Sequence, residues 1–182
     1  LLVLTGCPTH VDSLYGLKVT GDGAGGAITV YEDKLGGNVY IQKISSDGKA
    51  MWGEKGVLLG SSDSKTYSFL SFNIISDSSG GAIVSWLDSS QDQLRPSSHL
   101  ARIDDEGELA WQHDFIYFNQ MISDGSGGAI MAFDYSIGVD VIPGSEEKNL
   151  FLVKVDSQGN YPWGLQGITV PRGMYQDSTL QM

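Results

Sequence analysis

Three aspartates begin similar turns, and their recurrence raises the question of a cation site. Asp22, Asp77 and Asp124 follow one another at intervals of about 50 residues, the range expected of repeat proteins. A calcium loop needs several oxygen ligands, which an EF-hand-type loop supplies at alternate positions. Each turn here offers one carboxylate, followed by Gly, Ala or Ser. The spacing therefore favours a structural role, in which the Asp caps its turn and the glycines take positive φ, and it predicts no metal site.

Three tryptophans also recur, and rings of this kind could stack on sugars. Trp52, Trp111 and Trp163 each lie four residues after a glycine in a polar turn. A ligand site seldom needs the same ring in every repeat, whereas each repeat must bury a face against its neighbour, which large aromatic side chains do with the most area. We therefore expect the tryptophans to be packing anchors between units, with sugar stacking as the functional alternative.

Catalytic chemistry has little support in the sequence. The histidines fall at non-equivalent positions, and no Gly-x-Ser-x-Gly motif or metal-binding pair accompanies them. The histidines are His10, His99 and His113, and the arginines are Arg95, Arg102 and Arg172. Three arginines are too few for a sialidase-like carboxylate clamp to be expected. The sequence thus predicts no catalytic residue and no cofactor.

The composition is that of a globular, β-rich chain. Of the 182 residues, 41% are hydrophobic and 18% charged, and the 24 glycines lie in turn-like clusters. This distribution favours hairpins over helices. The net charge of −11 disfavours nucleic acid and anionic membrane surfaces as partners.

The recurring turns belong to a longer unit that occurs three times. A Gly-Gly-Ala-Ile phrase follows each Asp-led turn and continues as a short apolar strand that ends in an aromatic residue. Its second glycine is expected to be structural in each copy, at Gly26, Gly81 and Gly128. An alternating segment and a polar turn with the tryptophan come next, as in residues 38–43 and 44–52. Each unit therefore predicts four short strands, the fourth of which carries the tryptophan.

Four antiparallel strands in about 50 residues, repeated in tandem, are typical of β-propeller blades. We expect an all-β, β-propeller-like fold with three four-stranded antiparallel blades in an open arc. The expected boundaries are 17–60, 61–118 and 119–170 for the three blades, with 171–182 as the start of a further blade. Gln181-Met182 repeats the Gln120-Met121 that precedes the third Asp turn. We therefore expect the repeat to continue, and isolated protein to associate through an unsatisfied apolar flank.

Charged residues recur on the predicted strands as well. An aspartate closes each second strand, and a cation lies late in each third strand. The aspartates are Asp33, Asp88 and Asp134, and the cations are Lys43, Arg102 and Lys154. Their matched positions on neighbouring strands predict cross-strand ion pairs, each of which stabilises the sheet by only ~0.2–1 kcal/mol.

The repeat resembles that of bacterial surface-protein propellers, whose unit reads roughly Ser-Asp-Gly-x-Gly-Gly-Ala-Ile-x-x-Trp, then Tyr-x-Gln-Arg-Ile-Asp, then Gly-x-x-x-Trp-Gly. Tyr40, Gln42, Lys43 and Ile44 match its middle strand best, and residues 102–104 match the end of that strand. The resemblance covers residues 17–170 and implies architecture without implying an activity. The Gly-x-x-x-Trp part is also similar to the tryptophan-docking repeat of quinoprotein propellers and, more loosely, to sialidase Asp-boxes, although the spacings differ from both.

The connection between the second and third strands varies from unit to unit. It is short in unit one (34–37), longer in unit two (89–97) and longest in unit three (135–148). Recognition surfaces usually lie in variable loops on a rigid scaffold, although tolerated loop drift explains variation equally well. The candidate binding residues in these loops are Gln91, Asp92, Arg95, Tyr135, Asp140 and Glu146.

The single cysteine, Cys7, follows an apolar run and a Thr-Gly pair. This Leu-Thr-Gly-Cys ending resembles that of a bacterial lipoprotein signal, which implies lipidation at Cys7, a signal remnant over 1–7 and a tether over 8–16. The implied location is the cell envelope, outside the cytoplasm, with membrane contact only through the lipid. The structural alternative is a free cysteine in a first β-strand.

Taken together, these features predict a non-catalytic binding or scaffold module of a bacterial cell-surface lipoprotein. Its expected partners are an unknown protein or glycan at the variable loops and the remaining blades of the same polypeptide, with no nucleic acid. A glycan-acting propeller enzyme is one alternative, and it would need convergent carboxylates and arginines. A purely structural repeat is the other.

Overall fold

A computed structural model describes residues 16–33, 37–61, 71–88, 97–115, 120–134 and 150–170. Within these ranges every regular element is a β-strand and no helix occurs, which confirms the all-β prediction. The residues outside these ranges include Cys7, residues 8–15 of the predicted tether, the six candidate loop residues and segment 171–182.

The strands form three four-stranded sheets in chain order. The first contains β1 (Lys18–Gly21), β2 (Ala27–Asp33), β3 (Asn38–Ile44) and β4 (Val57–Ser61). The second contains β5 (Phe72–Ser76), β6 (Ala82–Asp88), β7 (Ser97–Ile103) and β8 (Leu109–Phe115). The third contains β9 (Gln120–Ser123), β10 (Ala129–Asp134), β11 (Leu150–Val155) and β12 (Ile168–Val170). In every sheet each strand pairs antiparallel with its neighbour in sequence, so each unit is a meander.

Alternation along the strands gives each sheet two faces, because successive side chains point to opposite sides. In β2, Ile28 and Val30 are fully buried, whereas Thr29 between them and Tyr31 after them are only partly buried. We call the face that is turned toward the following sheet the front face and the opposite one the rear face. Ile28 and Val30 thus lie on the front face of the first sheet.

Two apolar cores lie between successive sheets. The first joins the front face of sheet one, including Val30 and Ile41, to the rear face of sheet two, including Val84 and Ala101. The second joins the front face of sheet two to the rear face of sheet three; its buried members are Ile83, Leu100, Met121, Ala129, Met131, Val153 and Val155. The first strands of the units are also neighbours, since β1 contacts β5 and β5 contacts β9. Sheet two is therefore packed on both faces.

The predicted fourth strand is wrong in detail. Trp111 lies within β8, but Trp52 and Trp163 come before β4 and β12. Both are followed by Gly-x-x-Gly, and Gly56 and Gly167 have positive φ of 83° and 64°. A turn therefore separates the ring from the strand in units one and three, whereas unit two has no glycine there and its strand is continuous.

The predicted pairing of the strand-end aspartates with the late cations is also wrong. Asp33 lies opposite Asn38 at one end of the β2–β3 hairpin, whereas Lys43 lies opposite Ile28 at the other end. The registers of β6–β7 and β10–β11 separate Asp88 from Arg102 and Asp134 from Lys154 in the same way. In an antiparallel hairpin the end of one strand faces the start of the next, so a cation late in the third strand lies at the end of the sheet that carries the Asp turn.

Candidate functional site

The Asp turns are closed by the aspartate side chains. Asp22 Oδ1 accepts hydrogen bonds from the backbone N–H groups of Ala24 and Gly26, both at 2.8 Å. Asp77 and Asp124 hold the equivalent N–H groups at 2.8 and 2.9 Å. One carboxylate oxygen per turn is thus occupied by backbone donors, as the capping interpretation expects.

The second glycine of each pair is needed for space and not for positive φ. A Cβ on Gly26 or Gly81 would lie 2.2 Å from the carbonyl oxygen of Ile44 or Ile103, and one on Gly128 would lie 2.4 Å from that of Val155. These three glycines have no positive φ; the first glycine of each pair does. The second glycine therefore lets the turn approach the end of the third strand, which the sequence pattern alone does not indicate.

The late cations contact an Asp turn, the following unit or both. Arg102 Nε donates to Asp77 Oδ2 at 2.9 Å, and its Nη1 donates to the carbonyl oxygen of Ser157 in unit three at 3.0 Å. Lys43 forms an ion pair with Asp105 of unit two. Lys154 Nζ lies 2.9 Å from Asp124 Oδ2 within its own unit. In units one and two the cation therefore reaches across to the following polar turn.

These contacts stabilise the ionised aspartates. The Ala24 N–H hydrogen bond is the largest cause that lowers the pKa of Asp22. Burial alone would raise the pKa of Asp77, but hydrogen bonds from Ser79 and Arg102 hold it below its usual value. Burial also opposes ionisation at Asp124, but the hydrogen bonds from Lys154, Ser126 and Gly128 together hold its pKa below the usual value. The turns are therefore built for charged carboxylates.

We expect the protein to lose stability in acid for this reason. A carboxyl group whose pKa is lower in the folded than in the unfolded state stabilises the fold above its unfolded pKa, about 3.9 for Asp. That contribution is lost as the pH falls through the lower folded pKa. The melting temperature should stay level between about pH 5 and 7 and fall below about pH 4. The melting temperature of an Asp77→Asn variant should fall less steeply in acid. An equally steep fall in both proteins would show that the Asp77 carboxylate is not a source of the acid sensitivity.

Trp52 and Trp111 dock on the polar turn of the next unit. Trp52 is 7% exposed, and its Nε1 donates to the carbonyl oxygen of Asp105 at 3.1 Å. Trp111 Nε1 donates to the carbonyl oxygen of Ser157, also at 3.1 Å. A Cβ on Gly107 would lie 2.7 Å from the Trp52 ring, and one on Gly159 would lie 3.1 Å from the Trp111 ring. The glycine of each polar turn thus leaves room for the ring of the preceding unit.

The third tryptophan differs from the other two. Trp163 is 36% exposed, and its neighbour Leu165 is 71% exposed. In the described part of the chain no fourth sheet follows unit three to receive this ring. The equivalence of the three tryptophans in sequence therefore does not extend to their burial.

Two features of these junctions were not predicted from the sequence. His113 lies between Trp111 and Tyr161, with ring centroids 5.3 and 5.2 Å away, and its Nε2 lies 2.9 Å from the carbonyl oxygen of Gly159. Asp104 caps the polar turn of unit two by accepting from the N–H groups of Glu106 and Glu108. The Asp-x-x-Gly spacing of that turn was visible in the sequence, but the position of His113 carries no such signal.

The aspartates and late cations that recur in all three units form hydrogen bonds and ion pairs within the turns and at the junctions between units. Among the described residues no group of three His, Cys, Asp or Glu side chains could hold a metal ion. The strand ends that flank the variable loops lie at the other end of the sheets from the Asp turns, as the registers of Asp88 with Ser97 and Asp134 with Leu150 require. Each sheet therefore has one end that carries the capped Asp turn and an opposite end that carries the connection of variable length.

Across the part of the chain that the structure covers, no helix has the length and hydropathy to cross a bilayer. No protein-family model matches the chain, and its sequence matches no curated protein.

Proposed function

We propose that the three sheets are successive blades of a β-propeller in an open arc. Three observations support this arrangement. The front face of each sheet packs on the rear face of the next, the first strands β1, β5 and β9 are consecutive neighbours, and a tryptophan docks on the following turn at both junctions. Stacked units that contact only their sequence neighbours are typical of repeat architectures.

We further propose that the protein is a non-catalytic binding or scaffold module. The observation that carries this proposal is the structural use of the repeated carboxylates. Asp22, Asp77 and Asp124 are all turn caps, and the last two also pair with a cation. A general acid or base must be able to reach a substrate proton, which a capped and paired carboxylate cannot do without opening its turn.

The variable end of the sheets is the proposed recognition surface, since loops on a rigid scaffold often carry binding. The two long connections follow Asp88 and Asp134, at the end away from the capped turns. The candidates Gln91, Asp92 and Arg95 belong to one connection, and Tyr135, Asp140 and Glu146 belong to the other.

A glycan panel with two readouts tests this function. The full chain and a variant with both long connections shortened to the length of 34–37 are applied to immobilised bacterial and host glycans, and both retention and release of reducing ends are measured. We expect retention by the parent alone and no release. Release of reducing ends would establish the enzyme alternative. Equal retention of both proteins, or of neither, would contradict binding through these loops.

The proposed location is the cell envelope, through a lipid on Cys7. Its support is the Leu-Thr-Gly-Cys ending of the apolar run. When the gene with its upstream region is expressed in a bacterium, the protein should partition into detergent and carry a diacylglycerol mass, whereas a Cys7→Ser variant should not. An unmodified parent protein that retains residues 1–6 would contradict the proposal.

A further inference from the structure

Sheet two carries two buried serines where the other sheets carry apolar residues. Ser85 in β6 and Ser98 in β7 lie on the same face of sheet two as Ile83 and Leu100, which belong to the core between sheets two and three. The two serines are 5% and 4% exposed. Their equivalents by strand register are Val30 and Val39 in unit one and Ala132 and Leu150 in unit three. Sheet two is therefore polar at two positions that the repeat otherwise keeps apolar.

The hydroxyl group of Ser98 is buried without a partner. Its Oγ forms no hydrogen bond with any residue that the structure describes. Ser85 Oγ lies 3.5 Å from Asn73 Nδ2, which is the outer limit of a hydrogen bond. A buried hydroxyl without a partner destabilises the fold, whereas a valine such as Val39 at the same place in sheet one does not. Departures of this kind from a protein's own pattern are expected at functional sites.

The unpaired hydroxyl lies at the end of the junction that is next to the variable connections. Ser98 is the second residue of β7, which follows the long connection of unit two. Phe133 packs against the same core from sheet three, near the end of β10, after which the long connection of unit three begins. Met121 and Met131 are buried in this core, and unbranched methionine side chains repack readily around an inserted group. The variable end therefore leads to a buried polar group that has adaptable neighbours.

We propose that Asn73, Ser85, Ser98 and Phe133 form the inner subsite of the recognition surface and that this subsite takes an uncharged sugar unit of a glycan. The inference rests on the proposed binding function and names its ligand class. The four side chains supply two hydroxyls, an amide and an aromatic ring but no charge, which suits a ligand with neutral hydroxyl groups and apolar C–H faces. A sugar hydroxyl both donates and accepts, so it pairs with Ser98 Oγ in either sense. The net charge of −11 disfavours anionic sugars.

A matched pair of variants at Ser98 tests the subsite, because threonine and valine have the same shape and only threonine retains the hydroxyl. The full chain is titrated with chitotetraose, cellotetraose and mannotetraose, and the Kd of the tightest is measured by calorimetry. Ser98→Thr should bind within about twofold of the parent, and Ser98→Val about tenfold or more weakly, the effect of one lost hydrogen bond. Without ligand, Ser98→Val should melt about 2–4 °C above Ser98→Thr, since it buries no unpaired hydroxyl. Ser61→Val, at an exposed serine of β4, is the control and should leave the Kd unchanged.

The outcomes distinguish failure of the subsite from failure of the recognition surface. If Ser98→Thr and Ser98→Val bound equally well while shortening of the two long connections abolished binding, the subsite would be wrong and the recognition surface would stand. Binding of charged glycans alone would overturn the assignment to uncharged sugars in the same way. Binding of no glycan at all would overturn both proposals. A higher melting temperature for Ser98→Thr than for Ser98→Val without ligand would show that the hydroxyl is already paired, and it would also overturn the subsite.

Discussion

Trp52→Ala should lower the free energy of unfolding by ~3–5 kcal/mol, the range for truncation of a large aromatic side chain in a core. The ring is 7% exposed, belongs to the core between sheets one and two, and donates a hydrogen bond across the junction. Removing it leaves a cavity beside Gly107 and a carbonyl oxygen of Asp105 without its indole donor. Chemical denaturation monitored by circular dichroism measures the change.

Trp163→Ala is the control for this experiment, because it removes the same side chain from the equivalent place of unit three. The ring is 36% exposed, so its loss should cost much less than that of Trp52. Trp111→Ala should resemble Trp52→Ala, since Trp111 makes the same hydrogen bond to Ser157. Equal small effects at all three positions would show that the rings are not packing anchors and would favour sugar stacking.

Asp77→Ala should destabilise the protein by about 3 kcal/mol, which is the lower end of the range for breaking a buried ion pair. The Asp77 side chain is 0% exposed and lies 2.8 Å from Arg102 Nη2. Its loss removes the turn cap on Gly81 and leaves Arg102, which is 19% exposed, with one partner fewer. The effect should extend to the junction with unit three, because Arg102 also donates to Ser157.

Two variants distinguish the stabilisation by the hydrogen bonds that Asp77 accepts from the stabilisation by its negative charge. Asp77→Asn keeps an oxygen that can accept from the backbone and removes the negative charge, so its stability should lie between those of the parent and Asp77→Ala. Asp47→Ala removes an exposed carboxylate that pairs with exposed Lys49, and it should leave the unfolding midpoint unchanged. If Asp77→Ala behaved like Asp47→Ala, the turn would not depend on its aspartate.

The sequence predicted the all-β class and the three four-stranded units because the repeat consists of local signals. Alternation marked the strands, and β2, β6 and β10 all begin at the alanine of the Gly-Gly-Ala-Ile phrase. The fourth strands were less predictable. Whether a turn or a continuous strand follows the tryptophan depends on how the fourth strand pairs with β3, β7 or β11. Gly53 and Gly56 in unit one were the available sign of that turn.

The candidate site was predicted less completely, because its contacts link residues far apart in sequence. The aspartate caps join residues two and four apart and could be expected from the turn itself. The partner of Lys43 is Asp105, 62 positions away, and the partner of Trp52 is the backbone of the same residue. Such contacts follow only once the units are stacked, so the wrong pairing of Lys43 with Asp33 was the expected kind of error.

The central claim, that units one and two each dock a tryptophan on the following unit, is tested most directly by nuclear Overhauser effects in the isotopically labelled chain. The indole proton and ring protons of Trp52 should show effects to Gly107, and those of Trp111 to Gly159, because these rings lie against the two glycines. Both indole protons should exchange slowly with solvent, and that of Trp163 should exchange faster because its ring is 36% exposed. Absence of both inter-unit effects from a folded protein, with all three indoles exchanging at the same rate, would contradict the account.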